Sequence, residues 1–301
     1  MRTVHRLSLG LLALVLAACG AVPGLGPSPT PPPPTPTPVP PTATSPPPAA
    51  IVNGEPILLS DYQAEVARFE AAQTARGTDL ATLGDYKAQV LDSMVNLRLL
   101  AQGAQQAGVQ VSDSDVQAKI NQLANDLGGN ESIGAWMAAN NYDVSGFERD
   151  LRQELLAAQM VETLTAKVPD SMDQVHARHI LVATRDQAEQ LRQQIANGAD
   201  FAALAVENSL DLSTRPAGGD LGWFPEGYLT TPEIEQSAFS LQPGEVSQVI
   251  ETKLGFDILE VLDRGSHPLS PDAKRHLQAA AVQDWLASQR QTAQIDLLVN
   301  P

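Results

Sequence analysis

The sequence predicts an α+β chain: a helical N-terminal part, completed by a C-terminal helix, carries an inserted α/β domain of antiparallel sheet plus helices. Three observations predict it. Ile51 to Pro169 is almost wholly at helical spacing; the texture then changes to strands, short helices and glycine turns over residues 174–265; helical spacing returns from Pro271 to Val299. At 301 residues the chain has room for two modest domains. Its 19 Lys and Arg against 35 Asp and Glu leave a formal net charge of −16, which argues against a nucleic-acid partner because phosphate contacts need basic side chains.

Residues 1–18 read as an export signal, with Arg2 and Arg6 ahead of an apolar Leu7 to Ala17 too short for a comfortable membrane span. The signal ends in "LAAC", Leu16 to Cys19. That stretch resembles the bacterial lipobox, which implies that Cys19 is lipidated, becomes the new N-terminus and anchors the chain to a membrane of the cell envelope. A plain secretory signal that contains a cysteine is the alternative. Cys19 is the only cysteine, so the rest of the chain has neither a disulfide nor a cysteine nucleophile. Residues 19–50 include "PSPTPPPPTPTPVPPTATSPPP" and cannot build a core. Polyproline II at about 3.1 Å per residue makes them a semi-rigid tether of up to roughly 90 Å; a ligand for an SH3-type domain is the other reading.

Residues 51–169 form the helical domain. "IVNGEPI" predicts a short extended piece with an Asn-Gly turn, and Ser60 with Gln63 predicts a capped helix start. From Asp85 to Ala107, Tyr86, Val90, Met94, Leu97, Ala101 and Ala104 share a face, and Gly108 ends the run. "SDSD" (Ser112 to Asp115) predicts a capping box for a helix striped by Val116, Ile120, Leu123 and Leu127; a further long helix carries Phe147, Leu151, Leu155, Ala158 and Val161. The tail over 270–299, with Leu277, Ala281, Trp285 and Ile295 on its apolar face, is marginal alone and is expected to dock on the helical domain.

In residues 174–265, "VHARHILV" predicts a strand, followed by helices over Arg185 to Ala196 and Phe201 to Glu207, the second capped by Asp200. Pro232 suits the first turn of a third helix ending near Phe239, and "PGEVSQVIETKLGFDILEVLDR" reads as turn, strand, glycine turn and strand. His176 and His179 lie three apart, so on a strand they face opposite ways and cannot grip one metal; on a helix they could. A hydrolytic set of His179, Asp211 and Ser213 is conceivable, but no nucleophile elbow accompanies it.

Between Val175 and Arg264 the pieces "ARHILV", "GADFAALAVENSLD", "GGDLGWF", "AFSLQPGEVSQVI" and "GFDILEVLDR" occur in order. This stretch resembles the parvulin family of peptidyl-prolyl isomerases, and "IVNGEPI" and "AQGAQQAGVQVSDSDV" resemble the SurA-like and PrsA-like extracytoplasmic foldases. The resemblance implies an FKBP-like parvulin fold and an enzyme that isomerises X-Pro bonds in unfolded exported proteins without a cofactor or metal. It assigns His179 to the floor of the site, Asp211 to the acidic or thiol position facing it, and Leu221 to the pocket wall, with Phe239 among the proline-pocket residues. Where the family has methionine and phenylalanine, this chain has "YLTTPEIEQSAF": Leu229 or Thr230 stands for the first and Ile234 for the second. The family's second histidine is replaced by Asp257 in "GFDIL". Asp257 either orients the His179 imidazole and raises its pKa, or is a tolerated substitution in a domain retained to bind clients; the usual solvation of carboxylates on strands favours the second account. His176 is left without a catalytic role; Trp223, Phe224, Phe239 and Phe256 read first as core aromatics, with Trp223, near the cleft, the best exception as a client anchor.

Overall fold

A computed structural model describes residues 46–299. The export signal, Cys19 and nearly all of the proline-rich linker lie outside the described residues. Strand β1 (Pro48–Val52) turns at Asn53 and Gly54 into β2 (Glu55–Leu58), and both turn residues have positive φ, 51° and 84°. That is the backbone a two-residue hairpin needs, and Asn-Gly adopts it at little cost. Helix α1 (Leu59–Ala75) follows at once. Ser60 does not cap it. The Leu59 N–H bonds to the Pro47 carbonyl at 2.9 Å, so the strand-to-helix junction falls before Ser60 and its hydroxyl is left outside the cap.

Helices α2 (Tyr86–Gln106), α3 (Asp113–Leu127) and α5 (Val144–Thr165) start on side-chain caps, Asp85, Ser112 and Asp143, and Ser112 forms the predicted capping box with Asp115. Between α3 and α5 lies α4 (Asn130–Ala139), which the sequence reading did not separate. Helix α5 serves two cores. Its N-terminal Phe147 and Leu151 pack with Val116, Ala124 and Ile133, while Leu156, Met160 and Leu164 join Val95, Leu99 and the hairpin residues Ala50 and Val52.

After Pro169 the chain enters strand β3 (Ser171–Val182), which pairs antiparallel with β4 (Asp220–Pro225) and β6 (Gly255–Pro268); β5 (Ile250–Thr252) completes the order β4-β3-β6-β5. Helices α6 (Arg185–Ala196) and α7 (Phe201–Asn208) cover one face through Ile180, Val182 and Ile258. Helix α8 (Pro232–Ser240) covers the other through Val175, Ala177, Leu259 and Val261. Register shifts insert Leu221 in β4 and Leu262 in β6, so β3 itself alternates without interruption. His176 and His179 consequently point to opposite faces.

The α/β part leaves and rejoins the helical part at one place. Ser171 pairs with Pro268, and the Leu269 N–H bonds to the Asp170 carbonyl at 2.8 Å. Ser270 then caps α9 (Pro271–Thr292), which returns to the first core with Leu286 and Trp285. Ile295 is a correction to the helical reading of the tail. Helix α9 stops at Ala293 because Asn53 captures Gln294 twice, at 2.8 and 3.0 Å, and steers Ile295–Leu297 into strand β7 beside β1. Among the described residues no helix is long and apolar enough to cross a membrane.

Gly103 shows how closely α9 is docked. A Cβ placed there would lie 2.5 Å from the Trp285 ring, so only hydrogen lets the indole settle on α2. Gly103→Ala gains about 1 kcal/mol of helix propensity but overpacks the contact at about 1–3 kcal/mol. We expect a net loss of about 1 kcal/mol in thermal melts of the full chain, and Trp285→Leu in the same background should remove the penalty.

Candidate active site

Strand β3 delivers His179 to the α8 face of the sheet, where it is 7% exposed. Asp257, opposite Leu181 on β6, is 2% exposed and takes the same face. Their side chains meet: His179 Nδ1 lies 2.9 Å from Asp257 Oδ1. The weighting toward a solvated Asp257 is therefore overturned. Its second oxygen accepts from Thr252 Oγ1 at 3.2 Å, so the carboxylate is held from both sides.

The other ring nitrogen, Nε2, lies 2.9 Å from Asp211 Oδ2. The loop carrying Asp211 is stitched to β3, because the Leu210 N–H donates to the Leu181 carbonyl at 2.7 Å and Ser209 Oγ accepts from the Leu181 and Asp211 N–H groups. Asp211 also collects Ser213 through its hydroxyl and N–H, at 2.6 and 3.0 Å, and the Thr214 hydroxyl at 2.5 Å. Thr214 Oγ1 stands 3.1 Å from His179 Nε2. The sequence reading missed Thr214, although "DLST" carries the spacing for an Asp to accept from residues two and three ahead. The conceivable triad fails on geometry: Ser213 donates to Asp211 and makes no bond to His179.

Burial by itself lowers the His179 pKa, but hydrogen bonds and charge from Asp257 and Asp211 outweigh it and the net direction is up. Each ring nitrogen faces a carboxylate oxygen, and only the imidazolium can donate at both. For Asp211, burial opposes ionisation, yet bonds from Ser213, Thr214 and His179 carry its pKa well below the ordinary carboxylate range. The site is thus a buried imidazole, shifted toward its charged form, between the Asp211 carboxylate and a second, tightly held carboxyl group.

Gly219 makes the approach of β4 possible. Its φ is 82°, and a Cβ there would lie 2.1 Å from the His179 carbonyl oxygen; its own carbonyl accepts the His179 N–H at 2.9 Å. Beside the imidazole, half-buried Leu221, Leu229 and Phe239 border an apolar cluster that contains Ile234, which is 6% exposed. Thr230 is exposed, so Leu229 rather than Thr230 turns inward. The reason is Glu235, whose carboxylate accepts the N–H groups of Gly227, Tyr228 and Leu229 at 2.8–2.9 Å and folds the loop over the cluster. Trp223 lies opposite His176, on the other face from His179, between the rings of His176 and His267 at 5.4 and 3.8 Å. It does not border the cleft, because the alternation of β3 puts its partner His176 on the far side. His176 itself bonds to Asp220 at 2.8 Å.

The PPIC-type PPIase domain family matches residues 168–263, and the SurA-like N-terminal domain family matches residues 7–161. The foldase protein PrsA of Caldanaerobacter subterraneus subsp. tengcongensis is 33% identical over 224 residues, 70% of this chain and 72% of that protein. The chain belongs to the SurA-like and PrsA-like parvulin foldases. Its α/β domain is a peptidyl-prolyl cis-trans isomerase domain. The chaperone SurA of Nitrosococcus oceani is 30% identical over 277 residues, 80% of this chain, and the chain spans 64% of that protein's length. A crystal structure of the peptidylprolyl isomerase PrsA from Bacillus anthracis aligns over 65% of this chain and 89% of that one, at 24% identity and a TM-score of 0.43.

The raised His179 pKa has a definite sign. The ion cluster stabilises the folded parvulin domain fully below the unfolded histidine pKa, and that contribution is lost as pH rises through the folded value. Histidine NMR titrations should therefore show His179 titrating above the ordinary histidine value, and Asp257→Asn should lower its pKa. An unchanged value in Asp257→Asn would remove Asp257 from the account.

Proposed function

We propose that this foldase isomerises X-Pro bonds in unfolded exported proteins, with His179, Asp211 and Asp257 at the reacting amide and Leu221, Leu229, Ile234 and Phe239 receiving the proline ring. The observation that carries the reading is the imidazole held at both nitrogens by carboxylates beside an apolar cluster. Rotation about the amide crosses a barrier of roughly 20 kcal/mol because the twisted bond loses resonance. No bond need break. In the planar amide, resonance puts negative charge on the carbonyl oxygen; in the twisted form that oxygen is less negative. The Asp211 carboxylate, whose charged form the site favours, sets negative charge near that oxygen and disfavours the planar state more than the twisted one, which is differential binding of the kind catalysis requires. The apolar wall holds the ring while the preceding carbonyl swings.

The aliphatic Leu229 and Ile234 still exclude water from a proline ring, though they lack a flat aromatic wall. In a protease-coupled prolyl-peptide assay on the soluble chain beginning at Pro46, which keeps the whole of β1, His179→Ala with Asp211→Ala should lower kcat/KM by more than about tenfold. Activity equal to that of the parent would reject this assignment and leave a binding protein with a parvulin fold.

Attachment to the membrane through Cys19 is part of the same proposal. It rests on "LAAC" at the end of an apolar signal and on the proline-rich stretch that follows. Cys19→Ser should move the chain from the membrane to the soluble extracytoplasmic fraction; unchanged membrane retention would contradict the anchor.

A further inference from the structure

A second concave site lies in the helical part, far along the chain from the imidazole. Helices α1, α2 and α5 enclose a cavity of about 410 Å³ whose apolar lining includes Phe69, Val90, Met94 and Leu97. Four carboxylates, Asp61, Glu65, Asp150 and Glu154, border it, against two guanidinium groups, Arg68 and Arg98. Both guanidinium groups are already engaged. Arg68 pairs with Glu65 at 2.6 Å and lies over the Tyr142 ring at 4.2 Å, and Arg98 pairs with Glu55 at 3.0 Å. Asp61 and Asp150 share Arg149, at 2.9 and 3.1 Å. Among the described residues Glu154 has neither an ion pair nor a hydrogen bond.

We propose that this groove receives a lysine or arginine of an unfolded chain beside an apolar side chain, so that the helical part selects basic–apolar segments. The inference rests on the reading that the protein binds unfolded clients and adds which segments it takes. Asp150 and Glu154 stand four apart on α5, a like-charge spacing that costs an isolated helix stability. Both carboxyls are raised by partial burial and by neighbouring acids, Asp150 by Asp61 against the opposing Arg149 and Glu154 by Asp150 and Glu65, while the Glu154 side chain keeps an edge exposed to solvent. A cation seated between them would relieve that repulsion where the apolar floor strengthens its field. A metal ion is a poor fit, since no group of three acidic, histidine or cysteine side chains among the described residues converges to ligand distance. A lysine or arginine stem reaches across the gap while its methylenes cover the apolar floor.

The test uses fluorescence anisotropy with the whole exported chain and three labelled peptides identical except for Lys, Gln or Glu at two positions beside a leucine. The Lys peptide should bind at least about tenfold more tightly than the Glu peptide at low salt, with the gap narrowing at 0.5 M salt. Asp150→Asn with Glu154→Gln should reduce that discrimination severalfold. Asp126→Asn with Glu131→Gln removes the same charge from exposed positions on α3 and α4 and should leave it intact, which separates the groove from the acidic surface at large. Met94→Trp, which fills the cavity, should weaken all three peptides; circular dichroism melts verify that each variant is folded. Equal affinities for the Lys and Glu peptides, or equal effects of the groove and control pairs, overturn the proposal. If the chain still suppresses aggregation of unfolded proteins in that event, client binding stands and only the groove's selectivity falls. If it neither binds peptides nor suppresses aggregation, both readings fall.

Discussion

The pairing of β3 with β6 is the constraint on which the rest of the structure depends. Its register runs from Ser171 against Pro268 to Val182 against Phe256. At one end it brings together the two points where the α/β domain interrupts the helical part, so a long insertion costs little in loop closure. At the other end it sets Asp257 two residues along from Leu259, the partner of His179, on the same face and close enough for the side chains to meet at 2.9 Å. One ladder therefore joins the two domains and assembles half of the proposed catalytic cluster. A slip of one residue would turn Asp257 to the α6 face and break the cluster.

The helical part depends on closure of a different kind. Its hairpin, α2 and α5 form a core that lacks a wall until α9 arrives from the far end of the chain and β7 adds a third strand to β1. Completing this core requires contacts between residues near 50 and residues near 295, with the parvulin domain lying between them in sequence. The local antiparallel sheet of that domain can form first and bring the two halves close.

Much of this was legible in sequence where the signal is local. Ser112 with Asp115, Asp200, Pro232 and Asn53-Gly54 each announce a cap or turn through their own chemistry, and each acts as expected. The failures come where a distant residue decides. Ser60 has the right residue type for a cap, but the Pro47 carbonyl takes the junction N–H. Ile295 has helical spacing, but Asn53 diverts it into a sheet. Solvation of Asp257 follows from averages over exposed strands, whereas β5 and Thr252 cover this one. Leu229 and Thr230 could not be ordered by sequence because Glu235, several residues on, turns the loop. Trp223 faces the wrong side because a bulge at Leu221 sets its phase.

Replacing a histidine by Asp257 changes the kind of chemistry the site supports. Two adjacent imidazoles can share a proton and titrate near neutrality. An imidazole bonded to carboxyl oxygens at both nitrogens is shifted toward its charged form, because losing either proton leaves an oxygen facing an unprotonated nitrogen in a buried site. Such a ring is a poor proton shuttle and a good fixed charge. Amide rotation makes and breaks no bond to hydrogen, so nothing is lost by that exchange. In the proposed mechanism the field must not reorganise as the carbonyl turns, and the bonds from Thr252, Ser213 and Thr214 hold both acidic side chains against such movement.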